Sequence, residues 1–291
     1  GGMEQMPKGF APLTKAQQQT IELWIAQGAV YDNAKAEHWA YVAPKKPAVP
    51  KLPSSWVRNP IDAFVYARLK REGLTPSEEA DPQTLRRRLH LDLNGLLPES
   101  VLPKGKDFDY EATVDELLSR PQYGERMARL WLDLSRYADS DGYEKDLGRT
   151  AYLYRDYVID SFNKNKPFNQ FTIEQMAGDL LPEATDETRI ATGFHRNTQF
   201  NSEGGVDQAE AHYQVLIDRV STTSTVWMGS SLGCARCHDH KYDPFSQKDF
   251  FRMMAFFGNT LIVPQGDASV GEEKWREPTM KVVPPALKEQ M

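Results

Sequence analysis

Both cysteines of the 291-residue chain lie in one short stretch, GCARCHDHKYDPFSQKDFF, between residues 233 and 251. Cys234 and Cys237 are separated by two residues, and His238 follows directly. Two thiols at this spacing can form thioethers with the two vinyl groups on one edge of a porphyrin, and the next imidazole can then bind the iron. The pattern therefore predicts covalent attachment of haem c, with His238 as an axial ligand.

Three other interpretations of the cysteine pair remain open. A zinc site needs two further ligands; His238 and His240 are present, but adjacent Cys237 and His238 are hard to arrange around a tetrahedral ion. A thioredoxin-like redox pair expects a strand followed by a helix, and this context is missing. Chance occurrence is the third interpretation.

The second axial position of the iron has several candidate ligands. His195, in the short polar turn GFHRNT, is the leading candidate, followed by His212 and then by an open or water-bound position. Arg196 and Arg219 are candidates for pairing with the haem propionates, because a guanidinium matches the fork of a carboxylate.

Two carboxylate-rich loops form a second concentration of reactive groups. The stretch RYADSDGYEKD contains Asp139, Asp141 and Tyr143, and NSEGGVDQAE contains Glu203. Clustered carboxylates can bind Ca²⁺ or act as general acid and base, so these four residues are the catalytic candidates if the protein is an enzyme. The spacing is not that of an EF-hand, and solvated helix caps are the simpler explanation.

The overall composition is that of a globular protein rather than a disordered chain. The formal net charge is -6, with 26% charged and 40% hydrophobic residues. The sequence has no lysine- or arginine-rich stripe of the kind that binds nucleic acid. Nor does any apolar run approach the length of a transmembrane segment.

Helix signals recur along the chain. Asn59-Pro60 and Asp81-Pro82 are typical helix starts, and Ser246 with Asp249 forms a capping-box pattern. Further helices are predicted at 149–163, 168–180, 186–194 and about 207–232, from apolar residues at helical spacing. Alternating strand patterns are nearly absent before residue 260. These signals predict an all-α fold with irregular long loops, in which several helices surround a covalently attached haem.

Seven stretches together resemble the planctomycete cytochrome c-like proteins, over about 38–260. They are HWAYVAPKKPAVP, RNPIDAFVYARL, RYADSDGYEKD, AGDLLP, RIATGFHRNT, DRVSTTSTVWMGSSLGCARCHDHKYDPFSQKDF and FFGNT. The resemblance implies a haem cofactor but no defined reaction. It also implies an upstream monohaem cytochrome c domain, whose end is similar to residues 1–31. In that segment Met6, from an MP pair, is the candidate sixth ligand.

Four regions follow from these patterns. Residues 1–31 are predicted to be the C-terminal remnant of a cytochrome c domain, and 32–58 a proline-rich linker. Residues 59–262 are predicted to form the helical haem domain, and 263–291 an irregular tail.

The leading functional hypothesis is an exported c-type cytochrome that transfers electrons to a redox partner protein or to the upstream haem domain. Haem attachment of this type takes place outside the cytoplasmic membrane, which predicts a periplasmic or equivalent location. The alternative is a haem-dependent oxidoreductase acting on a small molecule or carbohydrate, with the carboxylate loops as acid–base groups or a calcium site. A third hypothesis treats the haem as a structural staple.

Overall fold

The computed structural model describes residues 12–28, 39–100, 108–201, 205–260, 263–264, 276–277, 280 and 282. Within these residues, ten α-helices are α1 Lys15–Ala26, α2 Pro60–Arg71, α3 Pro82–Leu93, α4 Tyr110–Leu118, α5 Pro121–Leu134, α6 Tyr152–Asn163, α7 Phe168–Ala177, α8 Asp186–Ala191, α9 Gln208–Met228 and α10 Gln247–Phe257. Short 3₁₀ helices occupy Trp39–Tyr41, Gly178–Leu180, Thr192–Arg196 and Leu232–Arg236. Two-residue strands β1 Val263–Pro264 and β2 Arg276–Glu277 pair antiparallel. The all-α prediction is confirmed.

Side-chain caps set the start of several helices. The carboxylate of Asp81 accepts a hydrogen bond from the N–H of Thr84, and Ser246 and Asp249 form the predicted capping box before α10. Asp207 caps α9 in the same way. This helix ends at Met228 rather than at 232, because Gly229 adopts a left-handed conformation with φ 59° that favours glycine.

The chain divides into two compact units, residues 1–64 and residues 65–291. In the first unit, α1 begins at the Thr14 capping box, and the described part of the predicted linker contains only the 3₁₀ helix Trp39–Tyr41 as regular structure. The second unit contains both hydrophobic clusters and all the candidate site residues that the structure describes.

Two hydrophobic clusters organise the second unit. The aromatic cluster packs α5, α6, α7, α8 and the turn after α8; its buried members are Ala128, Tyr154, Tyr157, Val158, Phe171, Ala191 and Phe194. The α9–α10 cluster joins these two helices to the 3₁₀ helix Leu232–Arg236; its buried members are Leu216, Val220, Leu232, Ala235, Phe250, Met254 and Phe257. Burial of such side chains is the main source of folding free energy.

Tyr157 of the aromatic cluster also belongs to a buried network of hydrogen-bonded polar side chains. Glu174 accepts hydrogen bonds from Lys166 at 2.5 Å, from the hydroxyl of Tyr157 at 2.8 Å and from Gln170 at 2.8 Å. Desolvation raises the pKa of Glu174, but these three donors together outweigh it, and the pKa of this carboxyl lies below its usual value. The network links α6 to α7 and leaves no oxygen of the carboxylate without a donor.

No described helix combines the length and the apolar character that crossing a membrane requires.

Candidate functional site

The cysteine segment lies on a single 3₁₀ turn. A 3₁₀ helix has three residues per turn, so positions three apart point to the same side. Leu232 and Ala235 are buried in the α9–α10 cluster, whereas Cys234 and Cys237 are both exposed. One side of the turn therefore anchors it to the protein while the other side presents both thiols to solvent, and neither thiol is in a disulfide.

His238 follows the second thiol and is exposed. Its Nδ1 lies 2.7 Å from the carbonyl oxygen of Asp239, which makes Nδ1 the protonated nitrogen that donates this hydrogen bond. In that tautomer Nε2 carries the free lone pair, which is the nitrogen that a metal would bind. Asp239 is itself fixed, because its side chain accepts a hydrogen bond from the N–H of Gln247 at the start of α10.

His240, the fourth ligand of the zinc interpretation, is already engaged. Its Nδ1 accepts hydrogen bonds from the backbone N–H groups of Asp243 at 2.8 Å and Tyr242 at 3.2 Å. Its Nε2 then donates to the hydroxyl of Ser231, 3.1 Å away. His240 thus closes the loop after the cysteines, and the described residues contain no group of three or more His, Cys, Asp or Glu side chains able to hold a metal ion.

Ala235 and Arg236 lie between the cysteines, and their side chains have different surroundings. Ala235 is buried, whereas the guanidinium of Arg236 lies 5.8 Å from the centre of the Tyr213 ring on α9. This is the distance of a cation–π contact. The carbonyl of Arg236 also accepts a hydrogen bond from the side chain of Gln247 at 3.0 Å, so α10 holds the turn from a second point.

His195 lies in the 3₁₀ helix Thr192–Arg196, with its ring 5.1 Å from each of the rings of Phe194 and Phe257. Burial, helped by the charges of Arg219 and Arg136, lowers the pKa of His195 to about 3, so the imidazole is neutral at physiological pH. Its Nε2 is buried and has no hydrogen-bond partner among the described residues. The contacts of His195 include the rings of Phe194 and Phe257 and the guanidinium of Arg219, and its assignment as sixth ligand stays a prediction.

The remaining haem candidates have other contacts or lie outside the described residues. Arg219 is buried; it donates to the carbonyl of His195 at 3.3 Å and to the hydroxyl of Thr260 at 2.5 Å. Desolvation lowers the pKa of Arg219 to about 10, so it stays charged at neutral pH. The backbone carbonyl of Arg196 accepts a hydrogen bond from the guanidinium of Arg149 at 3.3 Å. Met6 lies outside the described residues, and the propionate roles of both arginines stay predictions.

Three catalytic candidates, Asp139, Asp141 and Tyr143, lie in the first carboxylate loop but have different surroundings. Asp139 accepts a hydrogen bond from the hydroxyl of Tyr137, whose pKa is raised by burial and by this bond. Asp141 is buried, and its backbone pairs with Leu147 and Phe200. Neither Asp139 nor Asp141 is among the described residues that line the large cleft next to this loop.

Tyr143, in contrast, is half-exposed on the rim of a large cleft. Glu203 lies outside the described residues.

The cleft has a volume of about 1170 Å³ and is bounded by residues of 136–149, by the described segments 197–201 and 205–207, and by the first half of α9. Arg149 holds the two loops together. Its guanidinium donates to the carbonyls of Ala138 at 3.0 Å, Thr198 at 3.0 Å and Asn197 at 3.2 Å. Five donors in a rigid fork suit such a bridge between backbone segments.

Sequence reasoning missed the residues that build this cleft. Asn197 and Thr198 belong to the GFHRNT turn, in which the sequence pointed only to His195 and Arg196, and Asp218 lies in the middle of α9. Their sequence signal is weak, because a polar residue in a turn or helix is ordinary until the fold buries it.

A family comparison covers most of the second unit. The model of the PSCyt2 family, described as "Protein of unknown function (DUF1549)", matches residues 60–261, which is more than half of the chain. No curated protein and no solved structure among those compared matches the chain. The match includes the cysteine turn, the GFHRNT turn and both loops of the cleft. The chain therefore belongs to the PSCyt2 (DUF1549) family of proteins of unknown function.

Proposed function

We propose that the chain is an exported c-type cytochrome that carries haem through Cys234, Cys237 and His238 and exchanges electrons with a redox partner protein or an upstream haem domain. When bound, haem supplies a one-electron iron couple whose potential depends on the axial ligands and on burial. Its attachment chemistry belongs to the outer side of the cytoplasmic membrane, so a periplasmic or equivalent compartment is part of the proposal.

One observation carries the proposal: two free thiols and one imidazole are exposed together on an anchored turn. Buried Leu232 and Ala235 fix the turn, so the thiols need no rearrangement to meet a planar ligand from solvent. The hydrogen bond from Nδ1 of His238 leaves Nε2 available. These groups fit the attachment chemistry of haem c.

The chain's own residues have separate duties in this proposal. The thiols of Cys234 and Cys237 retain the cofactor covalently, so its retention does not depend on a binding equilibrium. The Asp239 carbonyl orients the imidazole of His238, and Gln247 holds both Asp239 and the carbonyl of Arg236. A positioning shell of this kind raises the basicity of an axial histidine and fixes its ring.

The test is maturation of the exported chain in a host that attaches haem c, followed by intact-mass measurement and the absorption spectrum in alkaline pyridine. The expected result is the added mass of one haem and the spectrum of a haem linked by two thioethers. Cys234→Ser and Cys237→Ser should each give a single-thioether spectrum or lose haem. Polypeptide of unmodified mass from the wild-type chain would overturn the proposal.

The two histidines after the cysteines provide a matched control. His238→Asn should change the iron spectrum, because it removes the axial nitrogen. His240→Asn should leave the iron spectrum unchanged. It should affect only the loop in which His240 is hydrogen-bonded to Ser231 and to the backbone of Asp243. Equal spectra for the two variants would remove His238 from the axial position.

The identity of the sixth iron ligand distinguishes an electron-transfer protein from the alternative, a haem-dependent oxidoreductase. If His195 binds the iron, His195→Ala converts a low-spin spectrum into a high-spin one. An unchanged spectrum removes this assignment. Binding of carbon monoxide or cyanide by the wild-type iron would indicate an open coordination position and would favour catalysis on a small molecule or carbohydrate.

A further inference from the structure

We propose that the exposed face of α5 is the contact through which two copies of this chain associate as a symmetric dimer. The face consists of Arg129, Leu130, Asp133 and Leu134, all of which are exposed to solvent. It includes no residue of the cysteine turn and none that lines the large cleft. The proposal is therefore independent of haem attachment.

The opposite side of α5 fixes the helix to the second unit. Gly124 and Ala128 are buried there, and the backbone N–H of Gly124 donates to the side-chain oxygen of Asn163 on α6 at 2.8 Å. A β-carbon at position 124 would lie 2.5 Å from the carbonyl oxygen of Ile159, so the two helices are in close contact. The exposed face thus belongs to a helix that is already in place, and association does not have to order it.

Two leucines form an apolar ridge on this face. Leu130 is 61% and Leu134 51% exposed, and side chains four residues apart are neighbours on a helix surface. A recess of about 370 Å³ lies beside Leu130, so the surface is not flat and can receive side chains from a second helix. Single exposed leucines are ordinary, but covering this pair removes a continuous apolar surface from water and is favourable.

The charges beside the leucines are opposite in sign. Arg129 and Asp133 are exposed, and neither side chain has a hydrogen bond or an ion pair with any residue that the structure describes. They are four residues apart, with the cation nearer the N-terminus, which is the less favourable order for pairing within one helix. Each copy of the chain therefore presents one free cation and one free anion next to its apolar ridge.

A two-fold axis brings this face against itself. When two antiparallel α5 helices meet across an axis that lies in their interface at right angles to both, each side of the face meets the same side of the partner. With the axis between positions 131 and 132, Leu130 lies within about 1.5 Å, along the helix, of the partner's Leu134. Arg129 lies within about the same distance of the partner's Asp133. The symmetry forms both contacts twice.

A second copy suits the charges of this face better than a partner of one sign. An acidic surface would place a like charge opposite Asp133, and a basic surface would do the same to Arg129. Arg126, a further cation beside the recess, does not oppose the pairing. With the same axis its two copies are about 16 Å apart along the helices, which exceeds the Debye length of about 8 Å at physiological ionic strength.

The test is sedimentation equilibrium of the full chain at loading concentrations from about 5 to 500 μM. A reductant is present, so that the exposed thiols of Cys234 and Cys237 cannot link two chains. One helix face is small compared with the roughly 800 Å² per partner of a stable interface, so we expect a weak, concentration-dependent dimer. A chain that stays monomeric over the whole range overturns the proposal, and the face would then be open to a different protein.

Charge exchange locates the contact. Asp133→Arg should weaken the dimer roughly tenfold, because it places an arginine opposite Arg129 of the partner subunit at both ends of the contact. Arg129→Asp should do the same with two carboxylates. The double variant Arg129→Asp/Asp133→Arg restores opposite charges and should recover most of the loss. Single variants that associate like the wild type, or a double variant no better than either, would remove α5 as the contact.

A matched pair of leucine variants tests the apolar ridge. Leu130→Ser should weaken the dimer roughly tenfold, because each copy loses an apolar side chain that the partner covers. Leu180→Ser is the control: Leu180 is 79% exposed but lies in the 3₁₀ helix Gly178–Leu180, outside α5. Equal losses in the two variants would place the contact elsewhere and contradict the proposal.

Discussion

Two buried polar regions of the second unit differ in whether their side chains have hydrogen-bond partners. In the network between α6 and α7, the side chains of Lys166 and Glu174 are 9% and 6% exposed, and each charged group has partners. Around the cleft, Asn197 and Thr198 are buried to a similar degree, but polar atoms of their side chains have no partner among the described residues.

The difference is between buried polar groups whose hydrogen bonds are satisfied and buried polar groups without a partner among the described residues. A buried group that is fully hydrogen-bonded contributes to a unique packing, and its removal is costly. A buried group without a partner loses its hydrogen bonds to water on folding and gains none in return, so it destabilises the protein. Four measurements follow, in decreasing order of expected effect; the first and the last test this contrast directly, and the other two test burial elsewhere in the second unit.

Lys166→Met should destabilise the protein by roughly 3–5 kcal/mol, because it leaves the carboxylate of Glu174 buried without its cation. The measurement is the free energy of unfolding in urea. The double variant with Glu174→Gln should recover much of this loss, since no charge is then left buried. A loss of less than about 1 kcal/mol in the single variant would be typical of an exposed pair and would contradict the burial of this one.

His195 should make the protein less stable in acid. Its folded pKa of about 3 lies below its ordinary value of 6.5, so between these values the unfolded chain binds a proton that the folded chain does not. Stability is therefore lost as the pH falls from about 6.5 towards 3, by up to about 1.4 kcal/mol per pH unit. The measurement is urea unfolding at several pH values.

His195→Phe is the reference for this slope, because it keeps an aromatic ring beside Phe194 and Phe257 and removes the titration. Stability should fall less steeply with acid in the variant. Parallel pH profiles for the two proteins would show that the imidazole is accessible to protons in the folded state.

Ala235→Leu should destabilise the protein by roughly 1–3 kcal/mol, because Ala235 is fully buried in the α9–α10 cluster and a larger side chain there forces its neighbours to move. Arg236→Gln, the neighbouring change between the cysteines, should cost less than about 0.5 kcal/mol, as surface changes usually do. Thermal unfolding of both variants measures the difference. Equal losses would mean that the turn is not anchored through Ala235.

Thr198→Val should leave the stability of the ligand-free protein unchanged or raise it by up to about 1 kcal/mol. Valine has nearly the shape of threonine and removes a hydroxyl that has no partner among the described residues, so its desolvation cost disappears. The measurement is the free energy of unfolding in urea. A clear destabilisation would show that this hydroxyl has a structural partner, and the contrast with the α6–α7 network would then fail.

Much of the helical architecture could be predicted from local signals. Asp81 with Pro82, and Ser246 with Asp249, mark helix starts because capping needs only neighbouring residues. The predicted C-terminal end of α9 was less accurate, because Gly229 ends the helix before residue 232. The cleft could not be predicted, because Asp141 and Tyr143 lie in the same loop and only tertiary contacts place one inside and the other at the rim.

The sequence alone determined the all-α class and the spacing of Cys234, Cys237 and His238, because both depend on residues close together in the chain. Only the tertiary structure decided that Leu232 and Ala235 anchor this turn from behind and that the ring of His195 lies beside those of Phe194 and Phe257. It also brought Arg136, Asn197 and Asp218 together around one cleft. These outcomes depend on which distant helices pack together. That packing, and not the residue type, decides which polar groups are buried and whether a partner lies within hydrogen-bond distance.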